Sequence, residues 1–305
     1  MDRPVVSVCI PAYRAEAFIE ETVASALAQS WPVEVVVSID RGGDGTAGLV
    51  RRLGAKRVRV VEQSKRLGWI GNSNAALRLA RSEFAMMLPH DDVLAPDYVA
   101  ACMTALTAQP GSVVAYSDIG IIGRPEVRIS EPSEVGPVVA RMAAMARGHF
   151  DAVAVRGVFS RKLAPHHTVP SAIAGFAADT LWVAQMAAQG AIVRVPELFY
   201  LKRLLPDSAH HAWLRATPVE LDEMWIVHCV EWLRTIEVLW PDILAVPAFR
   251  VALQSRLRRE HVGFRGGSGV PRQLQGYPDL LPRMVAVYAE VLRREPSYTW
   301  AGATG

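Results

Sequence analysis

Along its first part the chain alternates short, almost wholly apolar runs with stretches whose apolar residues recur at helical spacing. Residues 5–10 form a β-branched run halted by Pro11, which predicts a strand. Residues 15–29 carry Phe18, Ile19, Thr22, Val23, Ala26 and Leu27 on one face, which predicts a helix. Residues 33–39 predict a second strand, ending at the turn Asp40-Arg41-Gly42-Gly43-Asp44-Gly45-Thr46, and residues 47–53 a short helix. A third strand (57–61), a third helix (72–80) and a fourth strand (84–88) deliver the chain to Pro89-His90-Asp91-Asp92. Apolar strands separated by amphipathic helices predict an α/β fold: a Rossmann-like, mostly parallel sheet flanked by helices. Ligands gather at the carboxyl ends of such strands. That rule sets Pro11-Ala12-Tyr13, Asp40 and Asp91-Asp92 on one rim.

Beyond Pro96 the alternation loosens. Residues 97–108 predict a helix, 113–116 a strand ending in Ser117-Asp118, 120–128 a loop or hairpin, 134–147 a helix, and 152–155 a short strand. A helix over 180–188 is headed by Ala178-Asp179. From Thr217 the pattern is helical, with Leu221, Met224, Trp225, Val227, His228, Val230, Leu233 and Ile236 in a broad apolar stripe. Further helices are expected at 248–261 and 281–294. We therefore expect one domain over 1–205, divided into halves at 1–115 and 116–205, and a C-terminal helical region over 206–305. The stripe predicts core, and these helices are the candidate surface for a homodimer.

Composition narrows the partners. With 305 residues, 51% of them hydrophobic, the chain can bury a sizeable core. A net charge of +3, from 33 basic and 30 acidic residues, argues against a nucleic-acid partner. Cys9, Cys102 and Cys229 are too far apart for a zinc cluster or a disulfide framework. The start Met1-Asp2-Arg3-Pro4 lacks a signal-peptide plan, and no window holds the roughly 18 apolar residues of a spanning helix. The expectation is a cytoplasmic protein, whose eight Trp leave room for a peripheral contact at the inner face of a membrane.

Adjacent carboxylates directly after a strand suit a hard divalent cation, which binds through one or two carboxylates with substrate phosphates in other positions. Read alone, Asp91-Asp92 is equally well a turn or a helix cap. The order of motifs adds to this. Val6-Ser7-Val8-Cys9-Ile10-Pro11-Ala12-Tyr13 before a helix, a strand ending in Asp40, and Asp91-Asp92 after the fourth strand resemble glycosyltransferase family 2, the inverting GT-A enzymes, over residues 5–205.

That resemblance implies a GT-A type fold, with residues 1–115 as the nucleotide-sugar-binding half and 116–205 as the acceptor side. Pro11, Ala12 and Tyr13 match the family's Pro-x-Tyr/Phe-Asn turn lining the base pocket, with Arg14 in place of Asn. Asp40 matches the acid that accepts a hydrogen bond from a uracil or thymine ring, while Arg41 replaces the acid after it. Gly68 and Asn74 match a Gly-x-x-x-Ala-Arg-Asn helix start; Ser73 replaces its Arg, and Lys65 or Arg66 would offset the loss. Asp91-Asp92 match the last two positions of Asp-x-Asp-Asp, with Pro89 in place of the leading acid. The resemblance gives Asp92 to Mn²⁺ or Mg²⁺ and Asp91 to the donor's ribose or sugar.

Ala178-Asp179 matches the family's Glu-Asp pair, which makes Asp179 the catalytic base; by residue pattern alone it is an N-cap. Tyr200-Leu201-Lys202-Arg203 and Ser208-Ala209-His210-His211 resemble a loop that closes over the diphosphate, with His210 a further metal ligand. The expected function is a metal-dependent inverting glycosyltransferase. It would move a sugar from a UDP- or dTDP-sugar to a hydroxyl of a saccharide or lipid-linked saccharide. The alternatives are a sugar-phosphate nucleotidyltransferase, which would release pyrophosphate, and a non-catalytic nucleotide-sugar-binding protein, which would release no free sugar.

Overall fold

The computed structural model describes residues 5–53, 57–147, 152–163 and 177–205, with scattered positions between 217 and 252. The chain divides into two compact units, one from Met1–Val135, Asp151–Val169 and Gln189–Leu204, the other from Gly136–Phe150, Pro170–Ala188 and Leu205–Gly305.

The first unit holds β1 (Val6–Ala12), α1 (Ile19–Leu27), β2 (Val33–Ile39), α2 (Thr46–Leu53), β3 (Val58–Glu62), α3 (Gly68–Arg78), β4 (Phe84–Met87), β5 (Val93–Leu94) and α4 (Tyr98–Ala108). It continues with β6 (Ser112–Ile121), β7 (Arg124–Ile129), β8 (Val158–Ser160) and β9 (Ala191–Lys202). These strands form one sheet in the order β3-β2-β1-β4-β8-β6-β9-β5, with β7 paired to β6. The block β3-β2-β1-β4 is parallel, as is β6 with β9. Strand β8 runs antiparallel to both β4 and β6 and joins the two parallel parts.

The chain winds from β1 to β2 to β3 in one direction, then returns past them to place β4 on the other side of β1. The crevice beyond the carboxyl ends of β1 and β4 is therefore the topological switch point, where ligands bind in open α/β sheets.

The α/β architecture expected from the sequence is the observed one, and three local readings are corrected. Strand β1 does not stop at Pro11 but runs to Ala12, with Pro11 in register with Ser38. Pairing to β4 ends at Cys9, so Pro11 lies where no strand on that side needs its missing N–H. Second, residues 152–155 are not a strand. Ala152 has φ +48°, Val153–Arg156 forms a 3₁₀ turn, and the Glu131 carboxylate accepts the Val153 N–H at 2.8 Å. The strand is the next segment, β8. Gly157 between them has no room for a side chain: a Cβ there would lie 2.5 Å from Val114 Cγ2 and 2.6 Å from the Ala115 carbonyl.

Third, β6 runs far past the expected end at Tyr116 and is buried throughout. The polar pair Ser117-Asp118 is tolerated inside it because two arginines neutralise the buried carboxylate. Arg128 Nε donates to Asp118 at 2.5 Å, and Arg194 donates at 2.7 Å to each oxygen. These arginines hold the Asp118 carboxyl below the ordinary carboxylate range although burial pushes the other way. The expected hairpin at 120–128 is the β6–β7 turn, where Gly123 takes φ +80°.

The second unit contains α5 (Val138–Arg147) and α6 (Ala178–Gln189). Arg141 of α5 reaches the last turn of α6, where its Nε donates to the Ala187 carbonyl at 2.6 Å. A cation there satisfies orphan carbonyls and opposes the helix dipole. Most of the expected C-terminal helices lie outside the described residues; Met224, His228 and Trp232, at helical spacing, are helical. No helix among the described residues is long and apolar enough to cross a membrane.

Candidate functional site

The chain leaves β4 through Leu88, whose N–H still bonds the Cys9 carbonyl at 2.9 Å, and turns at His90-Asp91. Several groups fix that turn. Thr22 Oγ1 of α1 donates to the His90 carbonyl at 2.8 Å, and His90 Nδ1 lies 3.3 Å from the Pro11 carbonyl, bridging the ends of β4 and β1. Arg203, just past β9, donates from Nε to the Asp91 carbonyl at 3.1 Å. Its Nη2 pairs with Glu21 of α1 at 2.6 Å, and its guanidinium lies 4.8 Å from the centre of the Phe18 ring. Arg203 thus clamps the carboxylate-bearing turn to α1.

The two acids of the turn are not equivalent. Asp92 is 1% exposed. Its Oδ2 accepts the Tyr200 hydroxyl at 2.6 Å, its Oδ1 accepts the Arg203 N–H at 2.9 Å, and Arg156 Nε lies 3.8 Å from Oδ2. Burial pushes its pKa above the ordinary carboxylate value, with Arg156 opposing. Behind it Tyr98 donates to the Arg156 carbonyl at 2.7 Å and packs edge-on to Tyr200 with ring centres 5.8 Å apart. A cation at Asp92 would have to displace Arg156 and give up its water ligands. Asp92, expected to hold the metal, is thus bonded inward. The neighbouring Asp91 is half-buried and is the more exposed acid of the pair.

At the end of β2, Asp40 is 2% exposed. Its carboxylate accepts the N–H groups of Arg41 at 3.0 Å, Leu67 at 2.7 Å and Gly68 at 2.9 Å, and lies 3.4 Å from Arg66 Nε. A carboxylate has about four lone-pair directions. Three of those of Asp40 are taken by N–H groups, two of them at the start of α3, and Arg66 lies beside Oδ2. Gly68, with φ +72°, opens that helix. Asn72, one helical turn further on, donates to the Ala12 and Ser38 carbonyls at 3.1 and 3.0 Å and accepts the Ser38 hydroxyl at 2.7 Å. It ties β1, β2 and α3 together below the rim. Asn74 is half-buried on the same helix and Lys65 is exposed in the loop before it.

Tyr13 is half-buried, and the Arg66 guanidinium lies 3.3 Å from its ring centre. Arg14 follows with φ +47°, a left-handed conformation that Asn adopts at less cost than Arg. This explains why Asn is usual at that position in the pattern the sequence resembles. Arg14→Asn is expected to stabilise the protein by about 0.5–1 kcal/mol, read as a raised Tm. No gain in Tm would show that the strain is relieved elsewhere.

In the second unit, α6 is buried almost all round, and Asp179 and Gln189 alone in it are half-exposed. Asp179 is not the cap. Ala177 holds that place: its φ is +48°, and its carbonyl accepts Leu181 N–H at 3.4 Å and Thr180 Oγ1 at 2.9 Å. The Asp179 Oδ1 accepts its neighbour Thr180 N–H at 2.9 Å. His210 lies outside the described residues. Strained non-glycine backbone occurs at Arg14, Ala152 and Ala177, next to the rim, the Arg156 turn and Asp179. Such strain clusters at functional sites.

Sequence reading missed Arg156, hidden in what reads as a strand; its signal was a single cation closing the apolar run Ala152-Val153-Ala154-Val155. It missed Asn72 because a polar residue at the head of a helix reads as solvated. Among the described residues no three His, Cys, Asp or Glu side chains gather as a metal cage. The available donor set, Asp91 with neighbouring His90, fits a cation that takes its remaining ligands from phosphates and water.

The family model described as Glycosyl transferase family 2 matches residues 7–164. A chondroitin synthase of Pasteurella multocida is 37% identical over 102 residues, covering 33% of this chain and 11% of that protein. The succinoglycan biosynthesis protein ExoO of Rhizobium meliloti is 31% identical over 120 residues, covering 39% of this chain and 34% of that one. The chain therefore spans 11% and 34% of the length of these two relatives. Among solved structures, S. aureus TarS 1-349 in complex with UDP-GlcNAc superposes with a TM-score of 0.67 at 18% identity, covering 94% of this chain and 80% of that one. The mannosyltransferase PcManGT of Pyrobaculum calidifontis, in complex with GDP-Man and Mn²⁺, gives a TM-score of 0.53 at 18% identity, covering 97% and 82%. At such identities the likeness is one of fold.

Proposed function

The chain belongs to glycosyl transferase family 2, and we propose that it is an inverting glycosyltransferase that moves a sugar from a UDP- or dTDP-sugar to an acceptor hydroxyl of a saccharide or lipid-linked saccharide. The observation that carries this reading is the half-exposed Asp91 at the switch point, beside the β1 rim and clamped through its backbone by Arg203. An anionic turn held this firmly suits a metal–diphosphate. Asp91, with His90, would hold Mn²⁺ or Mg²⁺, and the bound cation supplies Lewis-acid stabilisation of the departing diphosphate.

The remaining work falls to the chain's own residues. Pro11, Ala12 and Tyr13 line the nucleotide's place, and Asp40 and Asn72 fix the backbone beneath it. Asp179 removes the acceptor hydroxyl's proton as that oxygen attacks the anomeric carbon opposite the diphosphate. The names of the relatives, chondroitin synthase and succinoglycan biosynthesis protein, support a saccharide acceptor.

A thermal-shift panel of UDP, dTDP and GDP with and without Mn²⁺ tests the donor class, because a ligand that binds the native state raises Tm. We expect UDP or dTDP to stabilise the protein only with Mn²⁺, and Asp91→Asn to remove that metal-dependent shift. A shift equally large in Asp91→Asn would overturn the metal assignment; release of pyrophosphate from a nucleoside triphosphate and a sugar phosphate would favour nucleotidyl transfer.

A further inference from the structure

Tyr13 matches an aromatic position associated with the base, yet in this chain its ring is already covered. The Arg66 guanidinium lies flat against it, 3.3 Å from the ring centre. One ring edge packs against the following turn, where a Cβ on Gly42 would stand 3.3 Å from Tyr13 Cδ2 and Cε2. The guanidinium is fixed from a second direction, since Arg66 Nε lies 3.4 Å from Oδ2 of the buried Asp40. The backbone carrying Arg66 is fixed too, because Asp40 accepts the N–H groups of the next two residues, Leu67 and Gly68. The Arg66 side chain is nevertheless 53% exposed. A planar cation thus lies over an aromatic ring and beside a buried carboxylate, with half of its side chain exposed.

We propose that Arg66 is the stacking platform for the donor's nucleobase, so that the base meets a guanidinium plane backed by Tyr13 instead of the Tyr13 ring itself. This rests on the nucleotide-sugar reading above. Guanidinium planes stack on flat π-systems, and a compact ammonium does not reproduce that contact. Rigid backing by Tyr13 and Asp40 lowers the ordering cost a free arginine would carry. Arg66 stands two residues before Gly68, which opens α3, and its guanidinium lies against Tyr13 and beside Asp40.

The test measures binding of UDP and of inorganic pyrophosphate, each with Mn²⁺, by calorimetry on the wild type, Arg66→Lys and Arg66→Ala. Base stacking is worth about 1–3 kcal/mol per base, so both variants should weaken UDP by about 5- to 150-fold. Pyrophosphate binding should be unchanged in both. If Arg66→Lys keeps UDP affinity while Arg66→Ala loses UDP and pyrophosphate alike, Arg66 is a phosphate cation and the stacking role is overturned. Tighter UDP binding by Arg66→Ala would make Arg66 an occupant that the base displaces, which also overturns it. Wild-type protein that binds none of UDP, dTDP and GDP overturns both this inference and the nucleotide-sugar reading. Unchanged melting of the two variants establishes that the losses are local.

Discussion

Asp179→Asn is expected to lower glycosyl transfer by about 10²–10⁴-fold, the usual contribution of a general base, while leaving UDP binding within a factor of two or so of wild type. The substitution is chosen for what it keeps. An Asn Oδ1 still accepts the Thr180 N–H, which Asp179 now accepts at 2.9 Å. The cap of α6 is Ala177, whose carbonyl takes Leu181 N–H and Thr180 Oγ1. Asp179 is a half-exposed carboxylate on a helix otherwise buried almost throughout. Initial rates with a UDP-sugar and a saccharide acceptor, alongside calorimetry with UDP, separate turnover from binding. Full activity in Asp179→Asn would move the base elsewhere in the chain.

The parallel half of the fold was legible because its strands are short apolar runs bounded by turn residues, and because each ends in the residues that line the rim. What misled the reading was polarity inside buried elements. Ser117-Asp118 looks like a strand's end, yet β6 continues through it, since Arg128 and Arg194 reach the carboxylate from two other strands. Ala152-Val153-Ala154-Val155 looks like a strand, yet φ +48° at Ala152 and the Glu131 carboxylate bend it into a 3₁₀ turn. No local pattern announces a partner 22 residues away. The same holds for the site. The Asp pair was visible, but the division of labour within it was not, because Tyr200 and Arg156, which decide it, lie 108 and 64 residues downstream of Asp92. The left-handed backbone at Arg14 was likewise invisible; only the departure from Asn hinted at it.

The buried pair behind the turn carries the second large effect. Arg156→Met is expected to destabilise the first unit by about 3–5 kcal/mol, because removing one partner leaves an uncompensated buried charge on Asp92. The wide 3.8 Å separation of Arg156 Nε from Asp92 Oδ2 places the effect at the lower end of that range. Asp92→Asn acts differently. Its Oδ1 must stay on the Arg203 N–H, a donor only, so its new amide faces the Tyr200 hydroxyl, which can turn to accept it. The carboxylate charge is gone, but Arg156 stays 13% exposed in its side chain and loses the counter-charge closest to Nε. The two side chains are therefore coupled through that pair. The double variant should be destabilised by less than the sum, with a coupling of about 1–3 kcal/mol in urea denaturation. Strict additivity of the two would show that the Arg156 guanidinium and the Asp92 carboxylate act on the fold independently.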